Sequence, residues 1–348
     1  MCGLTRGMCG VNNKPRVLII RRDNIGDLVC TTPLITAIRQ HYPEARISAL
    51  VNSYNREVLD NNTDVDAVYW YTKGKHADSL LGQLKALWAR VGLLRQLRRE
   101  RFDYVILATP MYVPRVVRMA ALLGAGQIIG YLDGARDTRV TCPVMRHDED
   151  RHEAEAVFRL LEPLGIKGDP PPVRVVADTS LADVLRQRIG LADTAPVYGI
   201  HISARKPSQR WEVKRYAELV QLLHGVNPQA QFVLFWAPGS QHNPLHPGDD
   251  EKAADLQQRL AGLPVHPCPT TRLAELIAGL SLCDRIVCSD GGAMHLAAGL
   301  GKPMVVLFGK SDAQHWHPWG VRHVVLQPPS LDVSDVSVEQ VLAALDKL

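Results

Sequence analysis

What the 348 residues lack narrows the field first. Nowhere do ~18 consecutive apolar residues occur, the length a helix needs to cross a membrane. The opening MCGLTRGMCGVNNKP has no apolar core of the kind a signal peptide carries. The seven cysteines (Cys2, Cys9, Cys30, Cys142, Cys268, Cys283, Cys288) form no CxxC pair, which argues against a zinc ribbon and against a disulfide framework. A reducing compartment and a cytoplasmic location are the resulting expectations. Neither GxGxxG nor a Walker loop is present, so the nicotinamide-dependent dehydrogenases and P-loop enzymes lose their sequence basis. Net charge is only +4 and the basic residues are dispersed, which leaves nucleic acid out as a partner. Disorder is excluded by 46% hydrophobic against 22% charged residues.

One local excess of charge does occur, in LRQLRRER from Leu94 to Arg101. Its arginines read either as a solvated helix face or as a patch drawn to the anionic inner face of a membrane.

What is present is alternation. Arg16–Ile20, Ala45–Val51, Ala67–Tyr71 and Tyr104–Ala108 are short β-branched or aromatic runs, separated by helical periodicity over Leu28–His41 and Leu80–Arg99. Helical material over Val113–Leu123 leads to a strand at Gln127–Tyr131, and a further helix is expected over His152–Leu164. The stiff Gly168-Asp169-Pro170-Pro171-Pro172 follows. The pattern then restarts: strands at Val197–Ile202, Gln231–Ala237, Arg285–Ser289 and Pro303–Phe308, and helices at Val213–His224, Asp250–Leu260, Arg272–Leu280, Gly292–Leu300 and Ser337–Leu348. Strands alternating with helices imply parallel, doubly wound sheets. At ~150 residues per domain the length suits two. The expected division is a flexible extension over 1–14, one α/β domain over 15–170 and a second over 171–348.

Ligands of open parallel sheets bind where strands run into helices, and four strand ends carry distinctive residues. Arg21-Arg22-Asp23-Asn24-Ile25-Gly26-Asp27 follows the first strand. Gly26 permits a close backbone approach or a positive φ, and Asp27 either faces the cleft or caps the next helix. Ser203 to Trp211 (SARKPSQRW) sets Arg205, Lys206 and Arg210 among hydroxyl groups, as a diphosphate clamp or as an exposed basic loop. Ser289-Asp290-Gly291-Gly292-Ala293-Met294-His295 opens a helix with glycines whose amides can converge on an anion. There His295 either meets a phosphate or ribose or packs under the loop. Gly309-Lys310-Ser311-Asp312 leads to His315-Trp316-His317-Pro318-Trp319-Gly320, read as a cleft-lining loop and not a metal site, because carboxylate and cysteine ligands are missing beside the histidines. Asp64-Val65-Asp66, though shaped like a metal-binding DxD, reads as a loop before a strand.

Taken together, Ile25-Gly26-Asp27 after the first strand, the basic loop ending in Arg210-Trp211, and DGGAMHLAAGLGKPMVVLFG from Asp290 to Gly309 with His317-Pro318-Trp319-Gly320 resemble the family 9 glycosyltransferases, the lipopolysaccharide heptosyltransferases. The similarity extends from about Pro15 to the end. It implies a GT-B fold, in which two Rossmann-like domains face each other across a cleft, the N-terminal one holding the acceptor and the C-terminal one the nucleotide sugar. It implies inversion at the anomeric carbon without a metal or other cofactor, the co-substrate being a nucleotide sugar, ADP-heptose, and the acceptor a lipid-linked lipopolysaccharide core saccharide. Asp27 matches the family's general base. Ser203, Lys206, Arg210, Asp290, Gly291, Gly292 and His295 fall on the donor side, with Lys206 and Arg210 as alternatives for the residue facing the phosphates. Arg22, Asn24 and Gly26 fall on the acceptor side. Two departures stand out: Gly291 occupies a place where the family commonly has Thr or Ser, and Gly309-Lys310-Ser311-Asp312 replaces Gly-Pro-Thr-Asp. Both are compatible with a divergent member that transfers a different sugar. Two alternatives stand beside this reading: a GT-B enzyme that uses a UDP- or GDP-sugar for another surface glycan, since the fold fixes neither base nor sugar, and a family member that binds a glycolipid or nucleotide without turnover, which would have no reason to keep Asp27.

Overall fold

The computed structural model describes residues 14–71, 80–146, 152–192, 195–240, 242 and 248–348, so the expected extension over 1–14 lies, all but Lys14, outside the described residues. The N-terminal half contributes β1 (Arg16–Ile20), β2 (Arg46–Asn52), β3 (Ala67–Tyr71), β4 (Tyr104–Leu107), β5 (Gln127–Tyr131) and β6 (Cys142–Val144), hydrogen-bonded in the order β3-β2-β1-β4-β5-β6. All pairings are parallel, with Val17 of β1 in register with Ile47 on one side and Tyr104 on the other. The helices of this half are α1 (Ile25–Val29), α2 (Thr32–His41), α3 (Leu80–Arg99), α4 (Pro114–Ala121) and α5 (Glu153–Phe158).

A central parallel strand is covered on both faces and needs apolar side chains on both, which RVLII supplies. Val17 and Ile19 pack into the same cluster as Leu34, Ile35 and Ile38 of α2 and Val157 and Phe158 of α5. Leu18 and Ile20 point the other way, toward Leu97 of α3 and Val116, Val117 and Ala120 of α4. The period-2 alternation of a strand thus sorts one run of aliphatics into two layers.

The second half repeats the plan. After α6 (Thr179–Ile189) come β7 (Val197–His201), α7 (Val213–Val226), β8 (Gln231–Trp236), α8 (Asp250–Arg259), β9 (Val265–Pro269), α9 (Leu273–Ser281), β10 (Arg285–Ser289), α10 (Gly292–Gly299), β11 (Met304–Leu307), α11 (Ala313–Trp316), β12 (His323–Leu326) and α12 (Val338–Leu345). The parallel sheet runs β12-β11-β10-β7-β8-β9. Ile200, Leu234, Val287 and Val305 face the cluster built with α7, α8 and α12. Val233, Phe235, Ile286 and Val306 face α6, α9 and α10.

Several expected boundaries are corrected. The helix expected over Leu28–His41 is two helices: α1 starts three residues earlier, and α2 begins anew at Thr32 with Pro33 in its first turn, where the missing proline N–H could not have continued a helix from α1. Only Glu153–Phe158 of the helix expected over His152–Leu164 is α-helical; Arg159–Leu164, which contains Pro163, tightens to a 3-10 helix ended by Gly165 at φ 76°. Strands β6, β9 and β12 and helices α6 and α11 had no counterpart in the sequence reading.

The face of the first sheet that carries α1, α2 and α5 and the face of the second that carries α6, α9 and α10 belong to one uninterrupted apolar cluster, which includes Leu28, Val29, Met294, Leu296 and Ala297. Each Leu, Ile or Met fully buried there contributes roughly 1.5–3 kcal/mol. At the seam, α1 and α10 approach closely enough to demand glycine. A Cβ on Gly26 would stand 2.5 Å from Cδ2 of the buried His295 ring, and one on Gly292 would stand 3.2 Å from Ile25 Cδ1. The connection between the halves is fastened on both sides: Arg174 N–H donates to Thr32 Oγ1 (2.8 Å), Val175 N–H to the Gly299 carbonyl (2.8 Å), and Trp319 Nε1–H to the Pro171 carbonyl (3.1 Å). Asp64 of the DxD-like triplet accepts from Thr36 and Arg174, and Asp66 from the Ile47 amide and Arg39, so both carboxylates are committed to structure.

Two glycine-to-alanine changes are expected to move stability in opposite directions. Gly26→Ala forces a buried ring aside and should cost about 1–3 kcal/mol. Gly92→Ala, where nothing lies within 4 Å of the added methyl in α3, should gain ~0.5–1 kcal/mol from helix propensity and unfolded-chain entropy. Urea denaturation of both variants checks this, and a Gly26→Ala midpoint equal to the parent's would refute the close-packed seam.

Candidate active site

In each sheet the strand order reverses between two neighbours, β1/β4 in the first and β10/β7 in the second, and a crevice opens at such a point. The loops leaving β1, β7 and β10 converge across the seam on one cleft of about 410 Å³. Its lining includes Asn24, Gly26 and Asp27 from the first half and Ser203, Lys206, Asp290, Gly291, Gly292 and His295 from the second. Nine of the expected site residues therefore meet. Two do not line it. Arg210 turns its Nε–H onto the Ala204 carbonyl (3.0 Å) and is exposed, whereas Lys206, the alternative considered beside it, is on the wall. Arg22 lies over the Tyr71 ring at 4.5 Å and hydrogen-bonds its hydroxyl.

Asp27 is the third residue of α1, not its cap; that place is taken by Asn24. Its side chain is only 12% exposed, and both oxygens are held. Oδ2 accepts the Asn24 backbone N–H at 2.8 Å and Oδ1 accepts from Arg21 Nη2 at 2.6 Å. Burial pushes this carboxyl up, but the Arg21 charge and the Asn24 amide outweigh it and hold it below the ordinary aspartate range. The group is an ionised, oriented carboxylate on the cleft wall.

Arg21 is a site residue that the sequence reading missed. At 2% exposure it is sealed between Asp27, Glu153 and the Ala108 carbonyl. Burial acts to lower its pKa, yet the charges of Glu153, Asp27 and Asp23 prevail and raise it. Glu153, also 2% exposed, accepts from Arg21 Nη2 at 2.7 Å and from His315 Nε2 at 3.0 Å. Burial pushes Glu153 up, but the hydrogen bond from His315 and the Arg21 charge keep it below the usual glutamate range. A lone Arg at a strand end and a lone Glu opening a helix carry no local signal, because their meaning comes from a partner 132 residues away.

On the opposite wall Gln209 is a second unanticipated member. Its Nε2 donates to Asp290 Oδ2 and to Ser311 Oγ (3.0 Å), while Lys206 Nζ donates to Ser311 Oγ at 3.0 Å. Ser203 Oγ accepts the Ala237 amide. Turn Ser289–Gly292 and the N-terminus of α10 thus sit beside Lys206 and Arg205, where amides, a helix dipole and two cations can share the charge of a phosphate group. His295 is 5% exposed, lines the cleft and packs edge-on to Trp316, so it belongs both to the wall and to the seam. Among the described residues, no three His, Cys, Asp or Glu side chains converge in the manner of metal ligands. His315 pairs with Glu153, His317 stacks near His152 and His323, and Trp319 stacks on His152.

His152 shows why acid should loosen the seam. Nδ1 accepts the Ala154 amide and Nε2–H donates to the His317 carbonyl, so both nitrogens of a neutral ring are used. Burial pushes its pKa down to about 3, and burial together with the Lys252 charge takes His201 to about 4. Unfolded histidines bind protons below ~6.5, whereas these two remain neutral in the folded state, so each costs roughly 1–1.5 kcal/mol of stability per pH unit below that value. Carboxylate linkage begins only at lower pH. Between pH 7.5 and 5.5 the two should therefore remove about 2–3 kcal/mol, read as a fall in the urea midpoint; an unchanged midpoint would contradict the buried neutral assignment.

The comparisons with known proteins meet this geometry. The model of glycosyltransferase family 9 (heptosyltransferase) matches residues 90–340. Over 301 residues the chain is 25% identical to lipopolysaccharide heptosyltransferase 3 of Escherichia coli K12, covering 84% of this chain and 82% of that protein. It superposes on the family 9 glycosyl transferase of Veillonella parvula with a TM-score of 0.78 at 20% identity, covering 95% of this chain and 96% of that one. The TM-score is 0.76 at 19% identity for the E. coli ADP-heptose lipopolysaccharide heptosyltransferase II, over 95% and 97% of the two chains. Two parallel six-stranded sheets facing each other across a cleft constitute the GT-B fold, and the match over more than half the chain supplies the lineage: the chain belongs to glycosyltransferase family 9, the heptosyltransferase family.

Proposed function

We propose that this glycosyltransferase moves a heptose from ADP-heptose to a lipopolysaccharide core saccharide with inversion at the anomeric carbon, and that Asp27 is the general base. The observation that carries the reading is the ionised, doubly anchored Asp27 carboxylate, which faces a glycine-rich turn and a lysine across an interdomain cleft. The heptose, its ADP carrier and the core acceptor come from the relatives that this chain resembles. In this assignment the C-terminal domain binds the nucleotide sugar through Asp290, Gly291, Gly292, His295, Ser203 and Lys206. The N-terminal domain presents the acceptor from the side of Asn24 and Gly26, with Arg22 beside them.

The acceptor hydroxyl donates a hydrogen bond to Asp27 and attacks the anomeric carbon. As that C–O bond forms, the hydroxyl becomes acidic and its proton passes to the carboxylate. The bond from the anomeric carbon to the diphosphate breaks, and ADP leaves with the electron pair. A carboxylate held below its usual pKa is a weak base toward a neutral hydroxyl, so proton transfer comes late, after the sugar–phosphate bond has begun to open. Lys206, Arg205 and the α10 amides stabilise the leaving diphosphate, the charge-neutralising task that a metal ion performs in other transferases. A single displacement of this kind inverts the anomeric configuration.

We also assign a membrane-facing role to α3. Trp88, 68% exposed, shares a helical face with the exposed Arg95 and Arg99, and Arg98 and Arg101 stand beside them. Cations and an interfacial aromatic on one face suit the anionic leaflet in which a lipid-linked acceptor resides. No helix among the described residues is long and apolar enough to cross a membrane.

Two measurements test the reaction. Asp27→Asn should lower kcat by ~10²–10⁴ while nucleotide affinity stays within about twofold; retention of full turnover would remove the base assignment. Calorimetric titration with ADP, UDP and GDP should show clear preference for ADP. Preference for UDP or GDP would overturn the donor, and absence of binding by all three would favour a non-catalytic descendant.

A further inference from the structure

The two walls of the cleft are joined by a path of hydrogen bonds and short stretches of chain, through residues with no direct part in the chemistry above. It starts at Ser311, whose Oγ accepts from Lys206 and Gln209 on the donor wall. One residue on, Asp312 Oδ1 accepts the amides of Gln314 (2.9 Å) and His315 (3.3 Å), which ties the start of α11 to that contact. Here a carboxylate can only accept, so His315 Nε2 carries the hydrogen that reaches Glu153 Oε2 across the seam. Glu153 Oε1 then takes one hydrogen of Arg21 Nη2, and Asp27 Oδ1 takes the other. Arg21 Nη1 is spent on the Ala108 carbonyl.

The orientation of Arg21, and with it the position of Asp27 Oδ1, is therefore set from several sides: by the Ala108 carbonyl, by Glu153 and by Asp23, whose Oδ2 lies 3.2 Å from Arg21 Nε. Only one of those sides is connected to the donor wall. We propose that Glu153 and His315 are positioning residues: they link occupation of the donor-side turn Gly309–Asp312 to the placement of Asp27 through Arg21, so that the base is aligned when the nucleotide sugar is in place. This rests on reading Asp27 as the base. Glu153 and His315 do not touch the reacting atoms; they act through Arg21. A donor phosphate that engages Lys206 competes for the cation that now holds Ser311, and the resulting shift of the turn is passed to His315 through Asp312 at the solvent-exposed rim. The other seam contacts of this region, His152 on the His317 carbonyl and Trp319 on the Pro171 carbonyl, hold the loop's far end. The first turn is held in addition by Gln327, whose Nε2 donates to the carbonyls of Gly309 (2.7 Å) and Ser311 (2.9 Å).

The experiment uses the full-length enzyme with steady-state kinetics, ADP calorimetry and thermal melts on Glu153→Gln, His315→Leu, His315→Gln, the Glu153→Gln/His315→Leu pair and Asp27→Asn. Expected are a tenfold or larger fall in kcat for Glu153→Gln and for His315→Leu, with ADP affinity within twofold; melting should fall, because each change takes a partner from a buried charge, with a single cooperative transition retained above the assay temperature. His315→Gln, which returns an N–H near the Nε2 position, should recover to within about threefold of the parent. Because the two residues act as a unit, the double variant should fall no further than about threefold below the worse single one. Unchanged kcat in Glu153→Gln and His315→Leu, with Asp27→Asn inactive, would overturn the positioning role and leave the base in place. So would losses that appear only in KM or ADP affinity, since those report a donor pocket merely deformed. Losses that multiply in the double variant, or a His315→Gln no better than His315→Leu, also count against it. Full turnover by Asp27→Asn would remove the base reading itself and this inference with it.

Discussion

A guanidinium removed from water must be met by acceptors on every side, and the arrangement of the site follows from that requirement at Arg21. Its position is dictated by β1, the central strand of the first sheet, whose end delivers the side chain into the interior. An isolated charge there would cost many kcal/mol, so the surrounding chain supplies three carboxylates and a carbonyl, with Asp23 Oδ2 3.2 Å from Nε. Asp27 comes from the first turn of α1, Glu153 from the start of α5, and Ala108 from the end of β4. Three separate segments are thus ordered by one cation. The same geometry has a chemical product, because the acceptor that meets Arg21 from α1 is also the carboxylate on the cleft wall.

The site lies where it does because both sheets follow the same winding rule. In each, the first strand of the half has neighbours whose crossovers run in opposite directions, and the loop leaving that strand is free to turn outward. The first sheet offers Asp27 there and the second offers Ser203 to Gln209, with the β10 turn alongside. Opposed crevices from two similar halves give two unlike walls, one with an oriented anion and the other with amides and cations. Transfer between two substrates needs that asymmetry, since the acceptor must lose a proton while the leaving group gains charge.

Much of this was legible in the sequence, and the exceptions have physical causes. Strands buried on both faces, such as Arg16–Ile20 and Gln231–Trp236, declare themselves as unbroken apolar runs. Val265–Pro269 hides its strand behind Pro267 and Pro269, which suit only an edge, and Cys142–Val144 is a three-residue edge strand with a central proline. Helix α6 buries only Ala182 and Leu185, too thin a stripe to register as periodicity, although Asp178 and Gly190 mark its ends. In the site, Gly26-Asp27 and Asp290-Gly291-Gly292 stood out because glycine and aspartate at strand ends are informative by themselves. Gly26 proves to serve a close approach to His295, not a positive φ. Arg21, Glu153 and Gln209 were missed because each gains its role from a residue distant in the chain.

The apolar cluster that passes without a break from the first sheet to the second has an evolutionary reading. Two similar α/β halves suggest modules that could be exchanged between relatives to recombine donor and acceptor preferences. Yet Leu28, Val29, Met294 and Leu296 belong to a single interior, and Gly26 is cut to fit His295 of the other half. A half grafted from a distant relative would bring an unmatched surface to this seam and leave apolar area exposed to water. Change in substrate preference is accordingly channelled into the loops around the cleft rim, while the two halves are constrained to diverge together.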